Sequence, residues 1–354
     1  VVAALLPSTV ARAEPLRGVR VTGATFTLDG QPFVARGFNL IGVLPPDNCA
    51  TTNAPRAVAA REHFGPAELA AARTRWHATT VRFQVSQSGL DPVNPLHSAS
   101  YVERIKRAVA EAQAQNLVVI LSMQDQFFSC GTAHPLPHAA TIRAWQTLAP
   151  VYAHDPMVLY ELFNEPQNSP DEAGWAQWRD GGAGPIGNQG NDPVGFTELV
   201  TRVRDMGARN VLLIDGASYA HDLRGMPLLA GGQLGYVVHP YKYHSTAGTT
   251  VSQDRSSWDQ HFGYLAGQVP LLATEWNASD ERCVPGAAEA AAALLAYLDD
   301  LGVGLLGHAF DVPGTMVTDL ISWDPTTMDG FGCTSKTANA GQLVLDHFTA
   351  QAQS

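Results

Sequence analysis

Val-Leu-Tyr-Glu-Leu-Phe-Asn-Glu-Pro, residues 158–166, is an apolar run that ends abruptly on a carboxylate and a proline. Pro166 has no N–H for a sheet ladder and cannot prolong a strand, so the chain leaves the sheet just after Glu165. A second run, Leu-Leu-Ala-Thr-Glu-Trp at 271–276, arrives at Glu275 in the same way. Working outward, strand-like runs recur at Phe33–Asn39, Thr79–Phe83, Leu117–Leu121, Val158–Phe163, Val211–Asp215, Gly235–His239, Leu271–Glu275 and Gly304–Phe310. Helical patterns separate them, clearest at Pro66–Trp76, Tyr101–Gln115, Ala139–Tyr152, Gly195–Met206 and Ala287–Leu301. The last is almost all alanine and leucine and reads as a well-buried outer helix. Strands alternating with helices favour a closed parallel barrel over a doubly wound sheet, and no Gly-x-Gly-x-x-Gly turn follows the first strand. The expected fold class is α/β, a (β/α)8 TIM barrel. Ahead of it, Val19–Thr22 and Thr25–Leu28 flank a turn and read as a short β-hairpin that plugs the barrel's N-terminal end.

With 354 residues the chain exceeds the roughly 250 that such a barrel needs. No low-complexity segment divides it, and the Gly/Asn/Pro-rich run Gly181–Pro193 reads as a loop. Residues 14–354 are therefore taken as one catalytic domain. Residues 1–13, an apolar run closing on Ala11-Arg12-Ala13, resemble the end of a secretory signal peptide, so a secreted protein is expected. A net charge of −11 without a basic stripe argues against a nucleic-acid partner. No uninterrupted apolar stretch reaches the ~18 residues of a membrane span, and a monomer without a membrane partner is expected. Four cysteines, Cys49, Cys130, Cys283 and Cys333, show no C-x-x-C spacing and allow three disulfide pairings. Cys283 and Cys333 follow neighbouring strands, which favours Cys283–Cys333 with Cys49–Cys130.

In a parallel barrel of this kind, chemistry gathers at the C-terminal strand ends. Read in order, those ends offer Asn39, Arg82, Gln124, Asn164 with Glu165, His239 with Tyr241, Glu275, and His308 or Phe310. Two glutamates on one rim suit glycosidic cleavage, where one carboxyl protonates the leaving oxygen and the other attacks the sugar carbon. The Asn164-Glu165-Pro166 triplet, with Arg82 in Thr-Val-Arg-Phe and His239-Pro-Tyr241, resembles the retaining glycoside hydrolases of clan A. It is closest to family 5, the cellulases and mannanases. The resemblance spans Phe33 to Phe310. It implies Glu165 as acid/base, Glu275 as nucleophile, Arg82 beside the nucleophile, Asn164 on the sugar 2-hydroxyl, and His239 and Tyr241 orienting the carboxylates. It implies no metal and no organic cofactor.

Two positions depart from that pattern. Gln124 stands where the family usually has histidine, and Gly-His-Ala-Phe-Asp at 307–311 lacks the tryptophan usually found under the sugar. His308 or Phe310 is expected to take over part of that stacking, and the reactive-sugar subsite to be remodelled. Trp175 and Trp178, three apart on one face of a helical turn, and Trp276 beside Glu275 are expected to stack on substrate. Trp258 also falls in a catalytic-side loop. A β-glucan or β-mannan is the favoured substrate. An exo-acting glycosidase or transglycosidase on this scaffold stays open. A binding barrel without turnover is disfavoured because both glutamates remain. A metal-dependent hydrolase is disfavoured because, despite twelve histidines, no H-x-H follows the first strand.

Overall fold

Interior positions of the strands change character along the barrel axis, and this gradient positions the site. In the computed structural model, which describes residues 17–44, 59–60, 62–125, 134–186, 192–244, 248–334 and 337–353, eight parallel strands close into a barrel. They are β4 (Arg36–Leu40), β5 (Thr80–Ser86), β6 (Val118–Gln124), β7 (Val158–Glu161), β8 (Leu212–Asp215), β9 (Leu234–Val238), β10 (Leu271–Trp276) and β11 (Gly304–Gly307). Sequence order is spatial order, and β11 pairs with β4 to close the ring. Helices cover the outside, so strands such as β5, β6 and β10 are buried along their whole length. That is why they read as nearly continuous apolar runs.

At the N-terminal end of the barrel, Val118, Ile120, Leu159, Leu213, Val237, Leu272 and Leu306 form an apolar floor. One layer higher the same strands turn polar, with Arg82, Ser122, Glu161, Asp215 and Thr274 all buried. The floor is sealed from below by β1 (Val19–Thr22), β2 (Thr25–Leu28) and the two-residue β3 (Gln31–Pro32), an antiparallel sheet. Phe26 of β2 packs into that cluster. Gly235 of β9 makes room for it, since a Cβ there would lie 2.5 Å from Phe26 Cζ. The hairpin is the expected plug.

All eight strands lie where the sequence places them, with revised ends. β7 stops at Glu161, so Glu165 is carried on a bend beyond the ladder, and β11 stops at Gly307. Helices at Glu172–Asp180, Val251–His261 and Gly341–Gln353 supplement those read from the sequence. Cys283 and Cys333 form a disulfide between the segments that follow β10 and β11. Cys49, Cys130 and residues 1–13 lie outside the described residues. No helix among the described residues is long and apolar enough to cross a membrane.

Truncating the plug should open the floor without touching the rim. Phe26→Ala is expected to lower unfolding free energy by about 3 kcal/mol, the usual result of emptying a buried aromatic site. Denaturant titration measures it, and catalytic constants well below the melting temperature should stay at the wild-type level.

Candidate active site

The two glutamates reach the rim by different routes. Glu275 sits on β10 where its register against β11 shifts between Ala273 and Trp276. Such an irregularity re-aims side chains. Consecutive residues Thr274 and Glu275 both serve the interior as a result, Thr274 Oγ1 meeting His239 and Glu275 meeting Arg82. Glu165, beyond the end of β7, has φ 54, and its N–H donates to Asp215 Oδ2 at 2.9 Å. A carboxylate oxygen of Glu165 and one of Glu275 lie within 4.8 Å of each other, with His239 between them.

Arg82 is fully buried beneath them. Its guanidinium forks onto Glu161, donates to Glu275, and also reaches Asn39 (2.5 Å), Ser122 (2.8 Å) and Asn164 (2.6 Å). Burial alone would make this group lose its proton more readily, but Glu161 and Glu275 more than reverse that and raise its pKa. Burial would likewise raise Glu275. The cations around it hold it below the ordinary carboxylate range instead. Burial keeps His308 neutral near pH 7, and Gln84 Nε2–H donates to its Nε2 at 3.1 Å, so Arg82 and His239 are the cations that do this. Tyr241 donates its hydroxyl to Glu275 Oε2 at 3.1 Å.

Glu165 has a different partner. His239 Nδ1–H donates to its Oε1 at 2.9 Å, and Nε2–H donates to Thr274 Oγ1 at 2.9 Å. Burial pulls the His239 pKa down, but Glu275 and Glu165 lift it to about 9. Asp215, fully buried, is pushed well above the ordinary carboxylate range by desolvation and by Glu161.

An open cleft of about 610 Å³ lies over this constellation, lined by Asn164, Glu165, Tyr241, Glu275 and His308. Other predicted site residues lie elsewhere. Asn39 is buried and braces Arg82, its Nδ2–H donating to Thr274 O at 2.7 Å. Gln124 is buried and donates to Ser122 Oγ at 3.1 Å. The expected aromatic platforms are corrected. Trp175 and Trp178 pack edge to face in the core, with their Nε1–H groups on Arg224 O and Asp215 O. Trp276 is buried against Tyr243, and Trp258 donates to Tyr243 O. Phe310 lies between Phe38 and Trp76.

Sequence reading missed Glu161, Asp215, Ser122, Thr274 and Gln84, each inside a strand. It also missed Tyr219, which lines the cleft after β8. Ser218 (φ 52), Tyr219 (φ 63) and Ala220 (φ 58) are three successive non-glycine residues in the left-handed region, at about 1–2 kcal/mol each.

Three groups of His and carboxylate atoms among the described residues lie close enough to hold a cation. Two of them share His239, whose two ring protons are already donated. The third is Asp125, His134 and His138. His138 Nδ1 there accepts the Ala140 N–H at a helix start, and its Nε2 lies 3.1 Å from Gln87 Nε2, so both ring nitrogens already have protein partners. Burial raises Asp125, but hydrogen bonds from the two histidines bring it down to about 2. These groups are better matched to one another than to a metal.

Structural comparison finds a β-glucanase of Saccharophagus degradans in complex with cellotetraose, 19% identical, with a TM-score of 0.66 over 96% of this chain and 94% of that one. A Thermomonospora fusca β-mannanase in complex with mannotriose is 18% identical, with a TM-score of 0.55 over 83% and 84%. The catalytic domain of Thermobifida fusca endoglucanase Cel5A, in complex with cellotetraose, is 14% identical, with a TM-score of 0.58 over 94% and 97%. At these identities the likeness is one of fold. Comparison with curated proteins found no match. Residues 44–312 match the cellulase family, glycosyl hydrolase family 5. The chain belongs to glycosyl hydrolase family 5 and is a glycoside hydrolase.

Proposed function

We propose that the protein cleaves β-glycosidic bonds in a β-glucan or β-mannan by double displacement, with net retention. The observation that carries this is that Glu165 and Glu275 converge on one cleft, an oxygen of one within 4.8 Å of an oxygen of the other, which is close contact and supports the shorter of two known spacings. Retaining glycosidases hold their carboxyl groups about 5–5.5 Å apart, whereas inverting ones leave about 6.5–9.5 Å for a water. Glu275, kept ionised by Arg82 and Tyr241, attacks the anomeric carbon while Glu165 protonates the departing oxygen. The glycosyl–Glu275 ester no longer carries the carboxylate charge. Glu165 then takes a proton from water, whose oxygen attacks the same carbon and releases Glu275.

The acid's proton comes from its pair with His239. His239 Nδ1–H lies 2.9 Å from Glu165 Oε1, within reach of a direct transfer. The substrate class rests on family membership and on neighbours crystallised with cellotetraose and mannotriose. The Cys283–Cys333 disulfide supports action outside the reducing cytoplasm.

Glu275→Gly should lose at least about 10³-fold in kcat, the order expected when a covalent nucleophile is removed. Azide should restore turnover and give a glycosyl azide of inverted configuration. An azide of inverted configuration from Glu165→Gly, and none from Glu275→Gly, would reverse the assignment.

Protonation of His239 should appear in stability. Its folded pKa, about 9, lies above the ordinary histidine value of 6.5. Its contribution is therefore complete below pH 6.5 and lost as pH rises through 9. The wild type's advantage over His239→Gln should fall by roughly 1–3 kcal/mol across that window. Urea titrations at several pH values test it, and a pH-independent difference would contradict a charged His239.

His308 lines the cleft where relatives usually place an indole. His308→Trp should reorder kcat/KM among cello-oligosaccharides, manno-oligosaccharides and substituted glucans. A uniform loss would remove it as a determinant of preference.

A further inference from the structure

Two carboxyl groups outside the active site are buried without a cation. Glu68, on the helix Pro66–Thr74, is 1% exposed, and neither of its carboxyl oxygens has a hydrogen-bond partner. Asp311, just past the end of β11, is fully buried, and its Oδ1 is likewise unpartnered. Arg104, on the helix Ala99–Ala114, also reaches this corner, but its guanidinium donates to Gly42 O. Two ionised carboxylates cannot both stay there, since each would be stripped of water and face a like charge. Burial, and then the charge of Asp311, push Glu68 up to about 9. Burial pushes Asp311 up to about 7, against the pull of the Gly42 and Ile41 N–H groups. The donor that the bare oxygens lack is therefore a proton held by the carboxyls themselves. A metal ion fits less well. N–H donors already face Asp311, and among the described residues no third His, Cys, Asp or Glu joins the two.

The pair stands behind a wall of the cleft. Gly42 N–H donates to Asp311 Oδ2 at 2.7 Å, and Leu44 N–H closes a turn onto Ile41 O at 3.0 Å. Ile41, Leu44 and Val312, the neighbour of Asp311 in sequence, line the cleft. Leu44 and Ile41 pack on each other apart from the main core, so the polar ties at Gly42 carry much of the turn's attachment.

We propose that Glu68 and Asp311 are a shared-proton carboxyl pair acting as a pH-sensitive latch on the Ile41–Leu44 wall of the cleft. With one proton between them, Glu68 O–H donates to Asp311 Oδ1, and Asp311 stays on Gly42 N–H. When that proton leaves to water, two buried like charges repel. The helix and the segment after β11 separate, and the wall loses its anchor. The shared proton is independent of the glycosidase reading; its effect on substrate rests on that reading.

The test compares wild type with Glu68→Gln and Asp311→Asn from pH 6 to pH 10. The glutamine amide donates to Asp311 at every pH, and the asparagine leaves at most one charge in the pair. Infrared difference spectra at pH 8 should show a protonated-carboxyl band in wild type that Glu68→Gln lacks. In urea, the wild-type midpoint should fall relative to both variants as pH rises. The folded pKa of Glu68 lies above its ordinary value, so the proton's contribution is complete at low pH and lost as pH passes about 9. With the oligosaccharide that the wild type cleaves fastest, the ratio of wild-type KM to that of either variant should rise about 10-fold per pH unit above that point. The corresponding ratio of kcat should stay within about twofold, because the latch holds the wall and not the glutamates. A band common to wild type and Glu68→Gln, or midpoints that run parallel with pH, would overturn the shared proton. A flat KM ratio beneath diverging midpoints would overturn the latch. Calcium chloride that raises the melting temperature of wild type alone would assign the pair a cation and overturn the proton. A wild type that neither binds nor cleaves any oligosaccharide would overturn the effect on substrate together with the glycosidase reading, while diverging midpoints would still establish the shared proton.

Discussion

A buried guanidinium organises this barrel. Arg82 has no contact with water, and an unpaired cation there would carry a desolvation penalty of several kcal/mol. The surroundings meet it with two carboxylates and three neutral oxygens from Asn39, Ser122 and Asn164, so its donors all find acceptors. Glu161 and Glu275 face Arg82, and His239 faces Glu165. Asp215 is a further buried acid near Glu161, held above the ordinary carboxylate range, and it accepts the Glu165 N–H.

The arrangement depends on the barrel's vertical gradient. Interior positions are aliphatic at the floor and ionisable one layer up, so the charged cluster rests on a dry base closed by Phe26. The N-terminal hairpin lies at the opposite end from the cleft and closes that base, so it serves the stability of the barrel rather than the groups at the rim.

This gradient also decides what could be read from the sequence. The strands were legible because their outer faces pack under helices and their floor positions are aliphatic, which leaves long apolar runs. Glu165 and Glu275 were legible because they break such runs at strand ends. Glu161 and Asp215 stand inside or at the tips of predicted strands and passed as strand residues. A charged residue within a fully buried run was the available signal, since carboxylates are seldom buried without a purpose. The tryptophans misled for a geometric reason. Nearness in sequence to a catalytic strand end does not say which way a ring points. Glu275 turns inward at the register shift of its strand, while Trp276 after it packs against Tyr243. For Trp175 and Trp178, the shared helical face was read correctly, but that face packs on Phe196 and the barrel rather than on the cleft.

The two glutamates are immobilised by different physics, matched to different tasks. In the proposed double displacement Glu275 must be ionised and stationary when substrate arrives, and a permanent cation in a dry layer does both. In the same proposal Glu165 gives up a proton and takes one back, so an arginine beside it would lock it in the wrong state. Its partner is a histidine, which can exchange the proton. Its position is fixed through the main chain, by the hydrogen bond to Asp215 and the left-handed backbone at φ 54. The other left-handed run in the cleft, Ser218–Ala220, is tied to the same loop through Pro166 and Asn168. Backbone strain therefore gathers on the Glu165 side of the cleft and charge on the Glu275 side. Main-chain constraints fix where the Glu165 side chain starts without placing a permanent charge beside its carboxyl.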